Sequence, residues 1–152
     1  MSEQATQRSL DLFRSGFFCA ESVLLAIAES RGIQSDLIPR IATGFCSGIS
    51  RTGGICGAVS GAIMGINLVA GRNSPSESVE LSYTLTQELL SRFERQHGSV
   101  ICRELIACDL ATEAGQRYFM DNHLMERCLQ YAADATRIAV SLIGQMNNSR
   151  TP

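Results

Sequence analysis

Glycine recurs at every fourth position, Gly57, Gly61 and Gly65, through the apolar run from Ile55 to Ala70. Residues four apart share one face of an α-helix, and glycine there lets a second backbone come close. Each interior glycine costs a helix about 1 kcal/mol relative to alanine, so the strip needs a return from close packing or from a ligand laid against it. The run carries Ser60 and Asn67 and falls short of the roughly 20 apolar residues that span a bilayer. It reads as a buried central helix. Elsewhere no alternation of apolar and polar residues persists long enough to suggest a sheet, so the fold class is all-α.

The other helices assemble around this one. Leu10 and Phe13 followed by Gly16 mark a short first helix, and a second begins near Phe18 with Cys19, Val23, Ala26 and Ile27 on one face. The stretch SDLIPRIATGF suggests a short helix from Ser35 with Pro39 in its first turn. Gly44, Gly48, Gly53 and Gly54 punctuate a loop before the core helix opens at about Ile55. In NSPSESVELSYTL, Ser74 reads as a cap, Pro75 as the first helical residue and Glu77 as its capping-box partner, giving a helix to about Gln96. Gly98 stops it, and Ser99 caps a helix holding Cys102, Leu105 and Ile106. A short segment from Thr112 to Met120 leads to a last helix, roughly Asn122 to Gln145, with the stripe Leu124, Cys128, Ala132, Ala135, Ala139 and Leu142. The expectation is one domain over residues 1–152, a bundle of six or seven helices with its core at about 8–146 and a frayed tail at 147–152.

Charge excludes some functions. Only 18% of residues are charged and the net charge is -2, which leaves no basic field to gather nucleic acid or an anionic membrane. The opening MSEQATQRSLDLF lacks the basic-then-apolar pattern of a secretory signal, so a cytoplasmic protein is expected. Six cysteines in 152 residues are too few for a disulfide scaffold, where they exceed about 8%, and a reducing compartment would keep them open.

Cys19, Cys56 and Cys102 each fall in the first turn of an expected helix, and Cys128 faces inward from the last. Unpaired amides and the helix dipole at such a start lower a thiol pKa from about 8.5 toward neutrality, which favours thiolates. A buried free cysteine is also a serviceable small hydrophobe, and the spacings match no C-x-x-C pair, zinc ribbon or ferredoxin run. His97 and His123 read as capping or surface residues. Arg51, in SGISRTGG, either pairs with a thiolate or anionic ligand or caps the loop. A cofactor or substrate on the glycine strip would touch Gly57 and Gly61.

The segment TGGICGAVSGAIMGINLVAG, with Cys56-Gly57-Ala58-Val59-Ser60-Gly61, resembles the CGAxxG signature of the C-GCAxxG-C-C family of small bacterial redox-active proteins. GFFCAESVLLAI is similar to the segment of its first cysteine and supplies Cys19. GSVICRELIACDL resembles that of the third and supplies Cys102, and Cys128 matches the last. The resemblance implies a redox or cofactor-binding site of four cysteines, Cys19, Cys56, Cys102 and Cys128, and the leading reading of that site is thiol-disulfide electron transfer with a partner protein. Cys56 would be the attacking thiolate, and Cys19 or Cys102 would resolve the mixed species. It also allows an iron-sulfur cluster or metal ion held by the same four thiolates. A third alternative is an interaction protein, its glycine strip packed in a homodimer and its cysteines inert. Cys46 stands where relatives typically have glycine, and Cys108 is likewise additional.

Overall fold

The computed structural model describes residues 1–148 and is all-helical over them, with eight α-helices and no strand. Helix α1 (Ser2–Arg14) ends before Gly16, whose φ of 117° favours glycine. Helix α2 (Cys19–Ser30) starts with Cys19 itself. The Glu21 carboxylate accepts the Phe18 amide at 2.9 Å and the Thr43 hydroxyl at 2.7 Å, so it ties this helix start to the segment beyond.

Three boundaries differ from the expectation. No helix forms at Ser35. The residue before a proline is pushed out of the α region, and a 3₁₀ turn begins only after Pro39, at Arg40–Phe45. The expected loop contains a short element, α3 (Cys46–Arg51), in which Ser47, Gly48, Ile49, Ser50 and Arg51 all take positive φ, from 53° to 69°. This is a left-handed turn, which L-residues other than glycine adopt at a cost of about 1–2 kcal/mol each. Side chains and amides hold it: Ser50 Oγ donates to the Gly44 carbonyl at 2.8 Å and the Gly54 amide to the Gly48 carbonyl at 2.9 Å. Third, Ser74–Glu77 closes a turn instead of opening a helix. Its serines bond among themselves, Glu77 accepts the Asn73 amide at 2.9 Å, and helix α5 (Glu80–His97) begins after it.

Helix α4 (Gly57–Ala70) meets α2 along the glycine strip. A Cβ on Gly61 would lie 2.6 Å from the Ala20 carbonyl oxygen, and one on Gly65 would lie 2.6 Å from Ile27 Cδ1. The close approach of two backbones is what the glycines permit. Gly98 ends α5 at φ 85°. Ser99 Oγ accepts the Ile101 amide at 3.0 Å and leads into α6 (Cys102–Ile106). Thr112 Oγ1 caps α7 (Glu113–Asp121), accepting the Gly115 amide at 2.9 Å. Helix α8 (Met125–Asn148) runs past the expected end at Gln145, so the first two residues of the tail expected at 147–152 are helical, and 149–152 lie outside the described residues.

One hydrophobic cluster links these elements from Ala5 to Met146, with Val23, Ile27, Ile66, Leu89, Phe93, Leu142 and Ile143 at its centre. No helix among the described residues is long and apolar enough to cross a membrane.

Candidate functional site

Two short extended segments set the geometry of the site. The residues just before α4 and just before α6 pair in an antiparallel bridge, Ile55 with Ile101. The Cys56 amide donates to the Val100 carbonyl at 2.8 Å and the Cys102 amide to the Gly54 carbonyl at 2.7 Å. Successive side chains of an extended chain alternate faces, so Cys56 and Cys102 both leave the face opposite Ile55 and Ile101. Cys56 is the residue that precedes α4 rather than one inside its first turn.

That shared face opens on a cavity of about 310 Å³, and Cys19 from α2 and Cys128 from α8 line the same cavity. Cys19, Cys56 and Cys102 are buried and Cys128 is half-buried. All are free thiols. Phe13, Leu105, Ile106, Phe119 and Tyr131 give the cavity apolar walls, and Phe18, Met120 and Met125 line it while exposed to solvent, which places them at its mouth. Arg51 is the one charged side chain among the described lining residues, delivered there by the left-handed turn. The same turn seats Gly48 on Cys102: a Cβ on Gly48 would come within 2.5 Å of Cys102 Cβ and 3.0 Å of its Sγ.

Gly57 lines the cavity, and the Cys19 Sγ occupies the space its side chain would need. Gly61 does not line it. Its missing side chain is filled by Ala20, so the strip packs helices there instead of receiving a ligand.

The electrostatics correct the expectation of thiolates. Burial pushes the Cys56 thiol up to about 11, although the Val59 and Ala58 amides at the start of α4 pull the other way, and a charged Cys102 would push it further up. Burial likewise raises Cys102 to about 11, opposed by Arg103, and Cys128 to about 12 with added repulsion from Cys56 and Cys102. Desolvation of an anion outweighs a few amide dipoles when apolar walls replace water. Arg103 contributes little because its guanidinium turns to Gly53, the Thr52 carbonyl and Asp109.

Sequence reasoning missed two features. His97 is no surface cap: its Nε2 lies 3.0 Å from the buried Asp134 carboxylate, which also accepts Gln96 and Gln130, and its ring packs on Phe93 and Tyr131. Tyr131 in turn lines the cavity and donates to the Leu105 carbonyl at 3.1 Å. Asp134 sits 37 positions from His97, so only the packing of α5 on α8 reveals the pair. The second is Cys46, which lies outside the cavity yet neighbours the Cys19 thiol, which pushes the Cys46 thiol up. Cys108 also lies outside the lining, half-buried.

No three Cys, His, Asp or Glu side chains among the described residues are grouped so as to hold one metal ion.

A family model described as "Putative redox-active protein (C_GCAxxG_C_C)" matches residues 17–142. An "Uncharacterized protein" of Archaeoglobus fulgidus is 27% identical over 150 residues, covering 92% of this chain and 93% of its own. No solved structure matches.

Proposed function

Because the chain belongs to the C_GCAxxG_C_C family of redox-active proteins, we propose that Cys56 and Cys102 form a dithiol that reduces a disulfide in the apolar cavity. The observation that carries this reading is the bridge between the segments before α4 and α6, which aims both thiols into one cavity that Cys19 and Cys128 also line. The Cys56 thiolate attacks a substrate R–S–S–R′, forming a mixed disulfide and expelling R′–S⁻, which takes a proton. The Cys102 thiolate then attacks Cys56 Sγ, closing a Cys56–Cys102 disulfide and releasing R–S⁻. Two electrons and two protons pass to the substrate, and a reductant of the dithiol class must restore the pair.

Cys56 is assigned the attack because the amides of α4 lie beside its sulfur, and Arg51, the one charged side chain among the described lining residues, is available for a thiolate or an anionic substrate group. Buried walls leave the reduced thiolates without strong stabilisation. A couple of that kind favours its disulfide and so gives electrons away, the reverse of an oxidant whose reduced form is stabilised. A reducing cytoplasm suits such a donor. The exposed Phe18, Met120 and Met125 at the mouth suit an apolar segment of a partner protein.

Peptide mapping tests this directly. All thirteen basic residues are arginine, and trypsin places each of the six cysteines on its own peptide, Cys56 on residues 52–72 and Cys102 on 96–103. The anaerobically purified, reduced protein treated with a small organic disulfide is expected to yield those two peptides cross-linked. Stoichiometric iron or zinc in the parent protein, lost together with thermal stability in Cys56→Ser, would replace the dithiol with a cofactor site.

A further inference from the structure

Cys46 and Cys19 are thirds of no cluster, but they make a pair. The Cys19 thiol lies beside Cys46 and, with burial, holds the Cys46 thiol above its usual range; both thiols are buried and both are free. They meet at one point above α4: the place where a Cβ of Gly57 would sit is filled by Cys19 Sγ and lies 3.2 Å from Cys46 Cα. Cys46 Sγ also donates to the Ala42 carbonyl of the 3₁₀ turn at 3.7 Å, and Cys46 does not line the cavity. Cys19, by contrast, lines the cavity. It therefore borders both Cys46 and the space into which Cys56, Cys102 and Cys128 open.

We infer that Cys19 and Cys46 are a second dithiol, which closes to a disulfide on exposure to an organic disulfide and thereby withdraws Cys19 from the cavity. Each thiol loses its hydrogen, one S–S bond forms, and the oxidant R–S–S–R leaves as two R–SH. The reaction is the same exchange as at the cavity, with Cys19 reached from the cavity side and Cys46 resolving from behind. The glycine at position 57 leaves room for Cys19 Sγ beside the Cys46 backbone, since any side chain there would displace Cys19. The consequence is a site with two redox states of its wall: four thiols when the pair is reduced, three when it is closed. This extends the proposed chemistry of the cavity and does not depend on the Cys56–Cys102 pair forming.

The same tryptic map decides it, with Cys19 on residues 15–31 and Cys46 on 41–51. The full chain and the Cys56→Ser variant are each reduced, then treated anaerobically with diamide, an azo oxidant that takes up two hydrogens as it becomes its hydrazine. Remaining thiols are alkylated before digestion. The expected result is the 15–31 and 41–51 peptides cross-linked, two hydrogens lighter than their sum, in both proteins. Cys19 alkylated throughout, or joined only to Cys56, Cys102 or Cys128, would overturn the pair. A cross-link at Cys19–Cys46 with none at Cys56–Cys102 would uphold this inference while refuting the cavity dithiol, and the reverse pattern would do the opposite.

Discussion

Gly61→Ala isolates the contact that fixes the cysteine-bearing start of α2 against α4. Within a regular helix the change should help, because alanine is favoured over glycine by about 1 kcal/mol. At this position the new methyl would lie 2.6 Å from the Ala20 carbonyl oxygen and 3.0 Å from Ala20 Cα, where ordinary contact begins at 3.4 Å. Both obstacles are backbone atoms, so no rotamer change relieves the clash and the helices must part. Overpacking of this kind costs typically about 1–3 kcal/mol, and the propensity gain offsets only part of it. Gly144→Ala is the matched control, since it lies in α8 with nothing within 4 Å of the added methyl. Thermal unfolding followed by circular dichroism in reductant at pH 7 should lower the Tm of Gly61→Ala by about 2–6 °C and raise that of Gly144→Ala by about 2–4 °C, given about 2–4 °C per kcal/mol for a chain of this size. If Gly61→Ala stabilises as much as Gly144→Ala, the glycine strip is not a site of close backbone packing.

Three further outcomes are expected. Stability should fall as pH rises: Cys56, Cys102 and Cys128 ionise near 11, 11 and 12 when folded but near 9 when unfolded, so above pH 9 the unfolded chain loses protons first and urea midpoints should drop steadily toward pH 11. A midpoint flat from pH 8 to 10.5 would mean the thiols are solvated. Ser22 is buried with its hydroxyl unpartnered, so Ser22→Ala should stabilise the fold by about 1 kcal/mol in denaturant titration, and a loss of stability would reveal a partner for that hydroxyl. In the reduced protein at pH 7, iodoacetamide should modify half-buried Cys108 before Cys56, which is only 6% exposed. Faster labelling of the 52–72 peptide than of 104–117 would restore a low-pKa thiolate at the start of α4.

The all-helical character and the placement of Cys19, Cys56 and Cys102 at helix starts were legible in the sequence, because periodicity, glycine stops and capping residues act over a few positions. The same local signals misled at Ser74, where serines that bond to each other and Glu77 to the Asn73 amide satisfy the backbone as a turn, and a capping motif cannot tell the two apart. Whether a helix start lowers a thiol pKa is not local at all. It depends on what replaces water around the sulfur, and apolar walls from several helices decide that at Cys56. The left-handed turn at Ser47–Arg51 is equally hidden, since four of its five residues disfavour positive φ and only the contacts of the folded chain hold them there. The cysteine count came from the chain. Which thiols share a cavity, and that Cys46 meets Cys19 while His97 meets Asp134, was decided by tertiary packing, because such pairs join residues tens of positions apart that no short-range preference links.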